Sequence, residues 1–181
     1  MKHVPLNRVL LYGSLTVSAA ATDLISKEFV FRRFGVHNGG EWLVDTWLKF
    51  RLFTSLNRGA LWGVGQGFAL GFAALSVIAL AGILYWLFAR GACRSAWLTT
   101  ALGLVSGGTL GNLYDRLGIH GLKEPETSEA ILAVRDFLDV RLGSFDWAIF
   151  NVADICLVTG AIMLMLQSMT TPQESPVAAT K

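Results

Sequence analysis

Three stretches of this chain carry no Asp, Glu, Lys or Arg: Gly59–Ala89 for 31 residues, Ser95–Tyr114 for 20 and Ile155–Gln173 for 19. A helix of about 20 residues spans the roughly 30 Å hydrocarbon layer of a bilayer. A 181-residue chain that crowds its charge outside three such runs is built to cross a membrane. Composition agrees, with 53% hydrophobic and 15% charged residues, where a soluble domain carries about 25% charged.

A fourth apolar stretch, Val9–Thr22, follows Lys2 and Arg8. It fits a first membrane helix or a cleavable signal peptide with Ala19-Ala20-Ala21 at the cut, and taken alone it leaves both open. The charge-free criterion predicts helices at about 7–26, 67–89, 95–115 and 148–169. Segments 27–60 and 116–147 then share one side of the membrane, and the termini share the other with the Arg90–Arg94 turn. Counts of Lys and Arg do not orient the chain, because its longer segments dominate them. Residues 1–170 read as one domain, and 171–181, with Pro172 and Pro176, as a disordered tail.

Segment 27–60 interleaves Trp42, Leu43, Trp47, Phe50 and Phe53 with Glu41, Asp45, Lys49 and Arg51. Such a mixture suits the headgroup zone, as a small sheet or as an amphipathic interfacial helix. Residues 117–130, with Gly, Pro and three glutamates, read as a solvent loop.

Several motifs offer little chemistry. Cys93 and Cys156, with no CxxC, are expected to be small buried or interfacial residues. His3, His37 and His120 lie outside the spans and form no HExxH, so no metal site is expected. The glycines of "GVGQG" at 63–67 sit in a charge-free run, where Gly65, Gly67 and Gly71 suit close helix packing better than phosphate binding. Ser106 has no intramembrane His or Lys to activate it as a nucleophile.

The polar residues at the predicted helix ends are more telling. They are Asp23 and Lys27; Asn57 and Arg58; Asn112, Asp115 and Arg116; and Asp136, Asn151 and Asp154. Asn112 and Asp115 are i,i+3, as are Asn151 and Asp154, so each pair shares one helix face. Caps and ion pairs account for part of the set: Asp23 with Lys27 at i,i+4, and Asp115 with a basic neighbour such as Arg116. Asp154 has no base beside it in the sequence, and an intramembrane carboxylate is a functional-site hypothesis by default. A small proton-coupled carrier is one alternative, although nothing here suggests broken-helix repeats.

Five motifs occur in order: Asp23-Leu-Ile-Ser-Lys27, Asn57-Arg-Gly-Ala60, Gly107-Gly-Thr-Leu-Gly-Asn-Leu-Tyr-Asp-Arg116, Val134-Arg-Asp-Phe137 and Phe150-Asn-Val-Ala-Asp154. Together they resemble lipoprotein signal peptidase, also called signal peptidase II, across most of the chain. The resemblance implies an all-α membrane protein of four transmembrane helices with a small extracytoplasmic β-cradle and an interfacial helix. It implies a retained first helix, both termini cytoplasmic, and an active site near the outer face of the bacterial inner membrane. It further implies a monomeric aspartic endopeptidase without cofactor or metal, sensitive to globomycin and in contact with membrane lipids but not nucleic acid. Such an enzyme cuts diacylglyceryl-modified prolipoproteins just before the lipidated cysteine. By motif position its dyad is Asp136 and Asp154, with Asn57, Asn112, Asp115, Arg116, Asn151, Asp23 and Lys27 binding substrate or supporting the site. The chain departs from the family pattern in a longer stretch between Arg116 and Asp136, in Ile155 where Ser or Thr is common, and in Leu61 where a second alanine is frequent.

Paired carboxylates suit peptide hydrolysis. Held close, they share a proton, so one serves as base to water and the other as acid to the carbonyl oxygen.

Overall fold

The computed structural model describes residues 4–59 and 65–170. His3, Ala60, Leu61 and the tail after Thr170 lie outside them. The helices are α1 (Leu6–Phe34), α2 (Ala69–Leu84, continued by a π-helical turn at Tyr85–Ala89), α3 (Ala96–Arg116) and α4 (Val152–Thr170). The strands β1 (Val44–Asp45), β2 (Leu48–Asn57), β3 (Val134–Leu142) and β4 (Phe145–Asp146) form one antiparallel sheet in that order.

Among the described residues, three helical stretches are long and apolar enough to cross a membrane: α1, Ala69–Ala89 and Val152–Met169 of α4. The N-terminal segment left open above is thus one of them, and α3 is not. Although charge-free from Ala96 to Tyr114, α3 buries Gly103, Ser106, Gly107, Gly108, Thr109, Gly111 and Asn112. These small and polar residues lower its apolarity and let its neighbours approach. Helix α3 packs extensively against α1 and α4, and less so against α2. A Cβ at Gly107 would lie 2.5 Å from that of Ala19, and one at Gly108 would lie 2.5 Å from the carbonyl oxygen of Ala153. Close backbone packing of this kind is what holds helices together in lipid, where burying apolar surface gains little.

Several boundaries differ from expectation. Helix α1 continues to Phe34, which places Lys27 within it. Helix α4 starts at Val152 rather than near 148, because Phe150 pairs as an isolated bridge with Leu138. Gly65 and Gly67 do not pack helices: at φ +74° and +85° they shape the turn leading into α2. Of the two forms open to segment 27–60, the sheet is observed; among the described residues no separate interfacial helix lies between Phe34 and Ala69.

The sheet joins segments 27–60 and 116–147. Strand β2 pairs with β3 in the register Ser55↔Asp136, Leu56↔Arg135 and Asn57↔Val134, past an irregularity between Leu52 and Ser55. The loop at 117–130 is tied to the end of β2 by an Arg58–Glu124 ion pair.

Candidate active site

Asp136 lies on β3, 2% exposed. Strand alternation puts it on the same face as Asn57, its diagonal neighbour across the β2–β3 pair. Asn57 Nδ2 donates to Asp136 Oδ2 at 3.1 Å. Asp136 Oδ1 accepts a 2.6 Å bond from Asn151 Nδ2.

Asp154 owes its position to the start of α4. Asn151 is the N-cap, its Oδ1 accepting from the Asp154 backbone N–H at 3.0 Å, while Asp154 Oδ2 accepts from the Asn151 N–H at 3.1 Å. This reciprocal capping box satisfies two orphan donors of the first turn. The two i,i+3 residues of the motif therefore build the helix end and the site together. Asp154 Oδ1 remains for Asn112 Nδ2, at 3.0 Å.

Asn112 can offer its nitrogen to Asp154 because its oxygen is engaged elsewhere. Asn112 Oδ1 accepts from Lys27 Nζ at 3.0 Å and from Asn151 Nδ2 at 3.2 Å. Both facing groups are donors, so the amide has one workable orientation. Lys27 lies 2.6 Å from Asp23 Oδ2 and 3.1 Å from Asp115 Oδ2, all three side chains having no exposed surface. Asp23 Oδ1 in turn accepts from the Ala153 N–H at 2.9 Å, holding the first turn of α4 against α1.

The structure corrects the pairing expected of Asp115. Its partners are Lys27 and Arg135, whose Nη2 is 3.0 Å from Asp115 Oδ1. Arg116 instead turns towards the cavity, with Nη2 3.5 Å from the Gly59 carbonyl oxygen and the guanidinium 5.3 Å from the Phe72 ring centroid. The physical reason is helical: successive residues diverge by about 100°, so neighbours in sequence do not face each other.

Burial pushes the Asp136 carboxyl up to about 7, and the negative charge of Asp154 acts in the same direction. Hydrogen bonds from Asn151 and Asn57 oppose both. Asp136, Asp154, Asn57, Asn112 and Arg116 border one cavity of about 740 Å³. Away from these groups its wall is mostly apolar, with Ile149, Ile155, Leu157 and Val158 among the lining residues.

The remaining candidates separate cleanly from this cluster. Ser106 accepts a buried 2.8 Å bond from the Tyr12 hydroxyl. Cys93 packs with Tyr12, Leu87 and Leu102, and Cys156 is a half-buried free thiol. Among the described residues, no group of three or more His, Cys, Asp or Glu side chains is placed to hold a metal ion.

Residues 15–170 match the model of a protein family described as signal peptidase (SPase) II. The chain belongs to the signal peptidase II family. A lipoprotein signal peptidase of Rhodopirellula baltica is 44% identical over 170 residues, covering 91% of this chain and 74% of that protein. One from Yersinia pseudotuberculosis is 29% identical over 163 residues, 88% of this chain and 87% of its own length. A solved bacterial membrane enzyme superposes with a TM-score of 0.71 at 25% identity, over 92% of this chain and 93% of its own. As a signal peptidase II the chain is a peptidase, and its apolar helices fit a membrane protein.

Every site residue named from the sequence lies in this peptidase's polar cluster or on the cavity wall. Two further members were not named. Arg135 and Glu28 are joined at 3.1 Å and extend the buried network from Asp115 to α1. Arg135 stands inside the "VRDF" motif, but a single charge beside an aspartate gives no sign of burial.

Proposed function

We propose that this signal peptidase II is an aspartic endopeptidase of the bacterial inner membrane. It removes signal peptides from diacylglyceryl-modified prolipoproteins by cutting before the lipidated cysteine. The observation that carries the reading is Asn151, whose side chain and backbone contact both Asp136 and Asp154 at the edge of an apolar cavity. Two relatives named lipoprotein signal peptidase support the substrate class.

In this mechanism Asp136 holds the shared proton and Asp154 carries the charge. Water attacks the scissile carbonyl carbon as Asp154 takes one of its protons and Asp136 protonates the carbonyl oxygen. The resulting diol returns a proton to Asp136 as the C–N bond breaks, and Asp154 passes its proton to the leaving amine. Neither carboxyl is consumed. Asn57 and Asn112 hold the two carboxyls at fixed angles, and Arg116 is free to meet a substrate carbonyl or headgroup. The apolar wall takes the lipid and the signal helix, which enter sideways from the bilayer.

Residues 1–170 act as one monomeric unit with four spans, the less apolar α3 crossing in the shelter of α1 and α4, with both termini cytoplasmic, in contact with membrane lipids and blocked by globomycin. The deciding experiment incubates the purified protein with a lipidated prolipoprotein and weighs the products. Cleavage immediately before the modified cysteine, abolished by globomycin, is expected. An intact substrate, or an equal cut in its unlipidated form, overturns the reading.

A further inference from the structure

Arg135 is a charged residue with 2% of its surface exposed, and it does not line the catalytic cavity. Alternation along β3 turns it away from the face that carries Asp136. Asp115 grips it twice: Oδ2 accepts from the Arg135 backbone N–H at 3.0 Å, and Oδ1 accepts from Nε at 3.0 Å. Its Nη1 continues to Glu28 Oε2 on α1 at 3.1 Å, with the guanidinium 5.9 Å from the Phe31 ring centroid. The residue before Asp136 is thereby fixed to α3 and to α1, through main chain and side chain together.

The same carboxylate serves the other half of the site. Asp115 also holds Lys27, which orients Asn112 towards Asp154. Arg135 also flanks this buried carboxylate with a second cation: Asp115 lies between Lys27 and Arg135, and a buried charge left unpaired is costly away from water.

We propose that Arg135 is a positioning residue, whose grip on Asp115 and Glu28 sets β3 at the height where Asp136 faces Asp154. This rests on the aspartic peptidase reading above. A forked guanidinium can bond two carboxylates and stay planar between them, which an ammonium cannot reproduce.

The test compares full-length Arg135→Met, Arg135→Lys and Glu28→Gln with wild type on a lipidated prolipoprotein, at matched folded fraction. A displacement of about 1 Å at a reacting group lowers rates by about 100-fold, so Arg135→Met should lose kcat on that order with KM unchanged. Arg135→Lys restores the charge but not the fork, and should recover kcat only in part. Glu28→Gln, at the outer end of the clasp, should show a smaller loss in the same parameter. A purely structural Arg135 would lower thermal stability and leave kcat per folded molecule at the wild-type value. That result in Arg135→Met overturns the inference, as does a change confined to KM. If Arg135→Met does not fold, wild-type kcat in Arg135→Lys overturns it equally. A wild type that leaves the substrate intact overturns the peptidase reading and this inference together, whereas an active wild type matched by its variants overturns this inference alone.

Discussion

Lys27 decides which way Asn112 points. By donating to Asn112 Oδ1 at 3.0 Å, it leaves Nδ2 as the only group that Asn112 can turn to Asp154. A cation on α1 therefore orients an amide on α3 for the benefit of a carboxyl on α4. Replacing Lys27 with Met strands Asp23 and Asp115 without a shared counter-ion. Breaking a buried pair in this way costs on the order of 3–5 kcal/mol. Lys27→Met should fall in thermal stability accordingly, and detergent melting curves measure it. A melting temperature equal to wild type would show that the network is not needed for the fold.

Asp136→Asn and Asp154→Asn should each abolish turnover while melting close to wild type. Asparagine keeps the shape and the acceptor oxygen but can neither take a proton from water nor hold the shared one. Asp115→Asn is a different lesion, since it weakens two ion pairs, to Lys27 and to Arg135. It should lose on the order of 3 kcal/mol of stability and keep measurable cleavage once folded. Single-turnover assays at matched folded fraction separate these outcomes. A stable but inactive Asp115→Asn, beside an active Asp136→Asn, would move the dyad to Asp115 and Asp154.

The pH dependence has a defined sign. Asp136 titrates at about 7 in the folded protein, against 3.8 for a free carboxyl. Between those values the folded chain keeps a proton that the unfolded chain has lost. The contribution of Asp136 to stability therefore falls as pH rises from about 4 to about 7. In the proposed mechanism Asp136 must be protonated, so turnover should fall as pH rises through about 7. Asn57→Ala removes a hydrogen bond that favours the ionised form, so the alkaline limb should move to higher pH. A limb that stays in place or moves down in a pH–rate profile would contradict this assignment.

Gly108 should tolerate no side chain. A Cβ there would meet the backbone oxygen of Ala153 at 2.5 Å and Leu157 Cγ at 3.0 Å. Backbone cannot swing aside as a flexible side chain can, so Gly108→Val must push α4 away just beside Asp154. Overpacking of this kind costs about 1–3 kcal/mol, and activity should fall with it. Gly13 has open space at its missing Cβ and provides the control: Gly13→Ala should keep wild-type cleavage.

Topology can be read with reporters fused at residues 124 and 181. The proposed arrangement places residue 124 outside and 181 in the cytoplasm. Signals from one and the same side would remove a span. A mature chain beginning near Thr22 would remove the first helix instead.

Much of the polar cluster was legible in the sequence because several of its residues also do local structural work with a recognisable spacing. Asn151 and Asp154 are i,i+3 because a capping box requires it, and Asp23 and Lys27 are i,i+4 because an ion pair along a helix does. The helix α3 was harder to judge. Its charge-free length suggests a span as secure as the others, yet its row of small and polar residues marks a helix specialised for contact with protein. The partner of Asp115 could not be read at all. Sequence adjacency pointed to Arg116, while the actual partners are 88 residues before it and 20 after it. Contacts at that separation are set by how β3 docks on α1 and α3, and no local pattern records the docking.

Asp136 belongs to a strand of the sheet and Asp154 to the first turn of the last helix. Neither element assembles the polar cluster alone, because Asn151 bonds both carboxyls. In the proposed mechanism a partly synthesised chain holds Asp136 without its partner, and hydrolysis waits on the docking of the last helix against α3 and β3.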